Sequence, residues 1–220
     1  MKITYGEIES GREQVRNFIL AQKAQRQFRV LDIGGQAGGG WQEDIVDMTV
    51  DIAVAQGPKN MPMDICREPA WQPLLDLVAE QGKFDYIICT HTLEDIYNPV
   101  TALELMPRVG LAGMITNPSI LTEMSCHDNP NWTGYPHHRW VFDQIDGGIH
   151  LAPKLAFTES VFGGKGLTFN RAVTEIRYEW ADTIKYKMFK DNYLAPPWSN
   201  LVNDYQKFMQ DGLSNLTNSL

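Results

Sequence analysis

The chain has 220 residues, a mass of 25.0 kDa and a formal net charge of −8 at pH 7. Its hydrophobic fraction of 43% and charged fraction of 21% match those of ordinary globular proteins, which excludes collagen-like, coiled-coil and intrinsically disordered chains. Its acidic balance argues against a general nucleic-acid binder, because such proteins carry a basic face.

The sequence predicts a cytoplasmic protein whose first secondary-structure element is a helix. The N-terminal residues do not contain the apolar core of a signal peptide, and no apolar stretch in the chain is long enough to cross a membrane. The three cysteines are scattered along the chain, which is typical of reduced thiols in the cytoplasm. Residues 10–13 have the spacing of a capping box, and Val15, Phe18 and Ile19 form an apolar stripe behind it. This spacing predicts a helix that starts near Ser10.

Strands and helices alternate between residues 28 and 119. The predicted strands cover residues 28–33, 48–53, 62–65, 84–90 and 113–116. The predicted helices cover residues 69–80, with Gly82 as the C-cap, and a shorter segment that begins at Asn98-Pro99. Residues 84–90 are apolar almost throughout, as in a central parallel strand that is buried on both faces. The alternation predicts an α/β fold with a doubly wound, Rossmann-like, mostly parallel sheet.

The pattern changes after Pro118. Residues 119–150 are rich in histidine, tryptophan, glycine and proline, which predicts an inserted loop. Residues 154–187 have a β-like composition and predict an antiparallel hairpin that closes the sheet. The amphipathic stretch 201–209 is expected to pack on the domain or on a partner. We therefore predict a single domain, residues 1–220, with its core at 28–119, a loop region at 119–150 and a C-terminal hairpin and tail at 151–220.

The ends of the predicted strands are the places to look for a binding site, because doubly wound sheets bind ligands beyond the carboxyl ends of their strands. The residues at these ends are mostly glycines and carboxylates: Gly34 to Gly40, Asp51, Asp64, His91, Glu94, Asp95 and Asn117. Basic side chains, which a phosphate-rich ligand would favour, are nearly absent from this set. A ligand with ribose hydroxyls, an exocyclic amine and a cationic centre fits it better.

Residues 30–38, Val-Leu-Asp-Ile-Gly-Gly-Gln-Ala-Gly, resemble the first motif of class I S-adenosylmethionine-dependent methyltransferases. That family has an acidic residue in its first strand and a glycine-rich loop after it. Asp51 falls where the family has the acid that binds the ribose hydroxyls, and Asp64 where a carboxylate often meets the adenine amine. Residues 84–96 and 108–115 resemble the segments around the family's fourth and fifth strands, so the resemblance covers residues 28–119.

The resemblance implies S-adenosylmethionine as the cofactor and methyl transfer to a small-molecule acceptor. The cofactor-binding residues that it implies are Asp32, Gly34, Gly35, Gln36, Gly38, Asp51, Asp64, Ile65 and His91. Gln36 replaces the middle glycine of the motif, so it either crowds the amino-acid end of the cofactor or hydrogen-bonds to it. The same residue breaks the Gly-x-Gly-x-x-Gly pattern of dinucleotide-binding proteins, which disfavours that class. A non-catalytic binding module with the same fold remains the first alternative.

The loop region 119–150 is predicted to shape the acceptor site, with four substrate-binding residues: Tyr135, His138, Arg139 and Trp140. If the acceptor must lose a proton, His91 and His137 are the candidate catalytic bases. The partner is expected to be a small molecule, with no nucleic acid and no membrane bound, and homodimer formation stays open.

A metal-dependent enzyme that uses the histidines of this region is the second alternative. The candidate ligands are Glu123, Cys126, His127, Asp128, His137, His138 and His150. Their spacing matches no compact metal motif, and adjacent histidines in a strand point to opposite faces. We therefore expect no bound metal, and at most one of His137 and His138 in the pocket.

Overall fold

The protein is an α/β structure, described here by a computed structural model for residues 1–35, 40, 42, 44–126, 131–158, 167–189 and 198–219. The strands are β1 (Lys2–Gly6), β2 (Val30–Ile33), β3 (Met48–Asp51), β4 (Asn60–Pro62), β5 (Tyr86–Thr90), β6 (Ala112–Pro118), β7 (Trp140–Ile145), β8 (Gly148–Pro153), β9 (Glu175–Ala181) and β10 (Tyr186–Met188). The α-helices are α1 (Ile8–Lys23), α2 (Gln72–Gln81), α3 (Pro99–Val109), α4 (Ile120–Met124) and α5 (Trp198–Thr217). Short 3-10 helices cover Glu68–Trp71 and Arg171–Val173.

The main sheet has seven strands in the order β1-β9-β6-β5-β2-β3-β4. The five strands from β6 to β4 are parallel, whereas β9 runs antiparallel to both β6 and β1. The chain builds β2, β3 and β4 outward in one direction, then returns to place β5 and β6 on the other side of β2. Strand order therefore reverses between β2 and β5. The predicted α/β fold with a mostly parallel sheet is confirmed.

Both faces of the main sheet are covered near its centre, because side chains alternate between the faces of a strand. One face shares a core cluster with α1 that includes Val15, Ile19, Val30 and Ile88. The other face shares a larger cluster with α2 and α3 that includes Leu31, Leu74, Ile87 and Leu103. Every residue of β2 is buried, and its neighbour β5 is buried except at its last residue. Such central strands are mostly apolar on both faces, and Asp32 is the polar residue in β2.

The N-terminal region differs from the prediction. The helix begins at Ile8 and not near Ser10, and Glu7 is its N-cap residue, with no side-chain capping bond. It starts early because β1 precedes it and pairs with β9 at the edge of the sheet, so the chain turns into the helix directly after Gly6. The predicted C-cap of α2 is confirmed: Gly82 ends that helix with a φ of +79°.

The region after Pro118 is more regular than predicted. Residues 119–150 are not one loop, because they contain α4, β7 and the start of β8. The hairpin of β7 and β8 pairs with β10 in a separate three-stranded sheet, so among the described residues of 151–220 no hairpin closes the main sheet. That side of the main sheet is formed by β9 and β1 instead. The predicted boundary at residue 150 falls inside β8.

The C-terminal helix α5 packs on the domain. Its side chains Tyr205, Phe208 and Met209 share a core cluster with Val141 of β7 and Ile120 of α4. The predicted amphipathic stretch 201–209 therefore packs on the domain, which is one of the two alternatives that the sequence left open. Within the described ranges, no helix combines the length and the apolar character needed to cross a membrane.

Candidate functional site

A cleft lies at the carboxyl edge of the main sheet, where strand order reverses between β2 and β5. Its volume is about 220 Å³. It is lined by residues that follow four neighbouring strands, among them Gly34, Asp51, Asp64, Ile65 and Thr92. Ligands of open α/β sheets bind at such a reversal. Four of the predicted cofactor residues (Gly34, Asp51, Asp64 and Ile65) therefore meet in one cavity.

Two of the cleft carboxylates are fixed in the same way. Asp51 Oδ1 accepts a hydrogen bond from the backbone nitrogen of Ala53 at 2.7 Å. Asp64 Oδ1 accepts one from the backbone nitrogen of Cys66 at 3.0 Å. Each aspartate thus uses one oxygen to hold its own loop, and the Asp64 carboxylate also lies within hydrogen-bonding reach of the Cys66 thiol. The cleft therefore offers two oriented acceptors for a ligand's hydroxyl or amine groups.

The glycine turn after β2 depends on Asp32, which lies beneath it. Asp32 is buried and accepts a hydrogen bond from Gln42 Nε2 at 3.1 Å. Burial raises the pKa of Asp32 to about 6. A β-carbon at Gly35 would overlap the Asp32 carboxylate, so the backbone passes directly over this side chain. Asp32 and Gly35 are thus part of the turn and do not line the cleft.

Gly34 holds a conformation that favours glycine. Its φ is +80°, and its backbone nitrogen donates to Val50 at 2.8 Å. A β-carbon there would overlap the side chain of Thr92, which lies across the cleft from it. The predicted cofactor residues Gln36 and Gly38 lie outside the described residues.

A second pocket of about 240 Å³ adjoins the cleft. Asp95 lines both cavities and forms part of the wall between them. The other polar side chains of this pocket are His91, Glu94, Thr122, Tyr135, His137, His138 and Thr174. The predicted catalytic histidines therefore both line this second pocket, and His91 does not line the cofactor cleft.

His91 lies between two buried carboxylates. Its Nδ1 lies 3.2 Å from Glu94 Oε1, and its Nε2 lies 3.2 Å from Glu175 Oε2. Burial disfavours the charged ring, but the Glu175 and Glu94 carboxylates beside it outweigh this effect and raise the pKa of His91 to about 9. A pKa in this range favours the charged ring at neutral pH, with each nitrogen facing a carboxylate. This geometry favours a structural role and leaves no lone pair for the general base that the sequence predicts.

His137 and His138 both line the pocket, so the expectation that at most one would do so is wrong. Residues 136–137 form a turn and not a strand, which brings the two rings within 4.6 Å of each other, centroid to centroid, at an interplanar angle of 81°. His138 is buried and its Nδ1 bonds to Glu123. The Glu123 carboxylate also accepts a hydrogen bond from Lys154 Nζ at 2.7 Å.

The four residues predicted to bind the substrate separate in the structure. Tyr135 and His138 line the second pocket, as expected for an acceptor site. Arg139 is exposed and lines the cofactor cleft instead. Trp140 lines neither cavity, because it begins β7 and its indole nitrogen donates to the carbonyl of Ile96 at 3.0 Å.

Sequence reasoning named Glu123 only as a candidate metal ligand and missed the other charged side chains that support the second pocket. Glu123, Lys154, Glu175 and Arg177 are all buried or nearly so, and they form two ion pairs: Glu123 with Lys154, and Glu175 with Arg177. A signal existed for Glu175, because an acid inside the β-like stretch 173–178 needs a buried partner. One partner, Arg177, lies two residues further along the same strand, but the other, His91, is 84 residues away and cannot be identified from the sequence.

A larger cavity lies elsewhere in the described part of the structure. A groove of about 660 Å³ runs along the face of the main sheet beside α1. Its lining is mainly apolar. The guanidinium of Arg177, which also lines it, already donates hydrogen bonds to Glu175, Gln14 and the Glu7 carbonyl. It lacks the converging acids and histidines of the carboxyl edge. We therefore place the candidate site at the two smaller cavities, which together reach the ~300–1,000 Å³ typical of small-molecule sites.

Comparison of the chain with protein-family models found no match, and comparison with curated proteins found none. The candidate function therefore depends on the geometry of the site and on the residue pattern.

Proposed function

We propose that the chain binds S-adenosylmethionine in the cleft and transfers its methyl group to a small molecule held in the second pocket. One observation carries this proposal: Asp51 and Asp64, each fixed by a backbone hydrogen bond within its own loop, both line a cleft at the strand-order reversal. In a doubly wound, Rossmann-like sheet this is where a nucleoside ligand binds. The methyltransferase-like pattern of residues 28–119 supports the same assignment.

The residues of the cleft fit the cofactor's functional groups. Ribose hydroxyls and the adenine amine are donors, and Asp51 and Asp64 are acceptors close to each other in the cleft. Ile52 and Ile65 supply apolar surface for the base. The cationic centre of the cofactor suits an acidic cleft, and Arg139 is available to its carboxylate. When bound, the cofactor supplies an electrophilic methyl group on a sulfonium.

The chain's own residues then position the acceptor and exclude water. Asp95 separates the two cavities, so an acceptor in the second pocket approaches the cleft past this side chain. An acceptor that must lose a proton needs a base within reach. His137 is the candidate, because it lines the pocket, its side chain is 63% exposed, and His91 has both nitrogens engaged.

A second candidate function is a non-catalytic binding module. The observation that favours it is His91, whose charged ring is held by two carboxylates and not directed at an acceptor. Titration with S-adenosylmethionine separates the two candidates first, because only the methyltransferase must bind it, and methyl transfer separates them if both bind. Incubation of the protein with methyl-labelled S-adenosylmethionine and a small-molecule extract distinguishes them: the label moves to a product in the first case and stays on the cofactor in the second.

Isothermal titration with S-adenosylmethionine and S-adenosylhomocysteine tests the proposal. We expect one site per chain. Replacing Asp51 by alanine removes a charge-assisted hydrogen bond of about 1.5–3 kcal/mol, so S-adenosylhomocysteine should bind roughly 10- to 150-fold more weakly.

The matched control is Asp76→Ala, because Asp76 is an exposed aspartate on α2 whose only described hydrogen bond is to Gln72. This variant should bind the ligand as the parent does. The absence of binding in the parent, or unchanged affinity in folded Asp51→Ala, contradicts the proposal.

A further inference from the structure

We propose that Asp95, His137 and His138 form a binding site for a divalent transition-metal ion in the second pocket. Asp95 Oδ1 lies 3.7 Å from Nε2 of His137 and 3.7 Å from Nε2 of His138. All three ligand atoms lie within 4.8 Å of one another. The site requires no contact with the cofactor, so it does not depend on the proposed methyl transfer.

The spacing suits a shared ion better than direct hydrogen bonds. A hydrogen bond between nitrogen and oxygen needs about 2.7–3.2 Å, which is shorter than either 3.7 Å separation. Two ligand atoms that each lie about 2.0–2.2 Å from one zinc-like ion are separated by at most about 4.4 Å. A small rotation of His137, the most exposed of the three side chains, completes the set.

A second, independent observation concerns the orientation of His138. Its Nδ1 bonds to Glu123, whose side chain is only 1% exposed, while its Nε2 faces Asp95. A histidine that ligates a metal usually gives its other ring nitrogen to a carboxylate in this way, which fixes the tautomer and the ring plane. Lys154 holds Glu123 from the other side at 2.7 Å, so this orienting carboxylate is itself fixed.

The charges around the pocket leave a place for a cation. Lys154 pairs with Glu123, Arg177 pairs with Glu175, and His91 lies between Glu175 and Glu94. Even so, the buried Glu94 Oε1 has no hydrogen bond of acceptable geometry among the described residues. Asp95 Oδ1 faces the two histidines, and Glu94 and Glu123 add negative charge near it. His138 Nε2 and Asp95 Oδ1 face each other at 3.7 Å, so an ion bound between them would take both as ligand atoms.

The donor set selects the kind of metal. Imidazole suits zinc, iron, cobalt, nickel and copper, whereas calcium and magnesium prefer oxygen ligands. Two histidines and one carboxylate also leave coordination positions for water or a bound molecule. The expectation of no metal depended on a strand conformation at residues 137–138, and the turn found there removes that reason. Of the wider ligand set, His127 and Asp128 lie outside the described residues, and His150 packs on Phe208 away from the pocket.

The test uses the full chain without an affinity tag, stripped with a chelator and titrated with Zn²⁺ by calorimetry and with Co²⁺ by visible absorption. We expect one ion per chain and a cobalt spectrum that reports nitrogen ligands. Asp95→Asn and His137→Ala should each weaken Zn²⁺ binding at least 100-fold. Both side chains are substantially exposed, so these variants should fold, and circular dichroism checks this.

His150→Gln is the matched control, since it removes a histidine outside the site, and its Zn²⁺ affinity should equal that of the parent. The proposal is overturned if the parent binds no stoichiometric Zn²⁺, if binding survives in folded Asp95→Asn and His137→Ala, or if His150→Gln loses it.

Discussion

Replacing Asp32 by asparagine should stabilise the protein more at pH 8 than at pH 5. Asp32 is buried beneath the glycine turn with one described hydrogen bond, from Gln42. Burial raises its pKa from 3.8 to about 6, because the charged form loses its hydration. Between these two pKa values the folded state binds more protons than the unfolded state, so the contribution of this group to stability falls as the pH rises.

The size of the effect follows from linkage. A pKa raised from 3.8 to about 6 corresponds to a cost of about 3 kcal/mol once the pH exceeds the folded-state pKa. At pH 5 the carboxyl is still mostly protonated in the folded protein, and about half of that cost applies. The asparagine cannot ionise in either state. The difference in unfolding free energy between variant and parent should therefore grow by about 1.5 kcal/mol from pH 5 to pH 8.

Urea unfolding of both proteins at several pH values measures this difference, and subtraction removes the titration of every other group. The control is Asp44→Asn, because the Arg16 hydrogen bond lowers the pKa of Asp44 and leaves it ionised in both states over this range. For that variant the difference should not change with pH. A difference for Asp32→Asn that stays constant within about 0.3 kcal/mol from pH 5 to pH 8 would refute the reasoning.

Two further substitutions probe the cavities. Gly34→Ala should lower the unfolding free energy by about 2–4 kcal/mol, because alanine is strained at a φ of +80° and its β-carbon overlaps Thr92. Lys154→Met should lower it by about 3–5 kcal/mol, because the buried Glu123 loses its cation. Urea unfolding at pH 7 measures both.

Each of these substitutions has a control elsewhere in the chain. Gly147→Ala also places alanine at a positive φ, +70°, but in open space, so it should cost only about 1 kcal/mol. Lys207→Met breaks an exposed pair with Asp211 and should change stability by less than about 0.5 kcal/mol. An equal loss of unfolding free energy in Gly34→Ala and Gly147→Ala would contradict the close contact between Gly34 and Thr92. An equal loss in Lys154→Met and Lys207→Met would contradict the buried pair of Lys154 and Glu123.

Elements with a local signature could be predicted from the sequence. β2 and β5 are central strands buried on both faces, so their apolar runs identify them without knowledge of their partners. β1 has no such signature, because it becomes a strand by pairing with β9, about 170 residues later. The hairpin of β7 and β8 did have a local signal: Asp146-Gly147 forms its turn with φ values of +50° and +70°. An Asp-Gly pair between alternating apolar residues indicates a two-residue hairpin.

The candidate site follows the same division. Asp51 and Asp64 could be found because each directly ends or follows a strand, and parallel strands bring such ends together. The buried pairs that support the second pocket could not be found in this way, because their members are far apart in the sequence. Glu123 bonds to Lys154, 31 residues away, and His91 bonds to Glu175, 84 residues away. The same limit explains His137 and His138, whose shared pocket depends on a turn that periodicity does not predict.

The buried charges around the second pocket are difficult to explain by stability alone. Removing a charged pair from water costs about as much as the pair regains, and well-packed apolar residues in the same places are often more stable. Yet the buried Glu94, which follows β5, lines this cavity, and the buried Glu123 of α4 and Glu175 of β9 bond to two histidines that line it, His138 and His91. Asp32 adds another beneath the adjoining cleft. Such a concentration in one place is expected where a protein holds or moves charge on a ligand, and it supports the site that we propose at the carboxyl edge of the sheet.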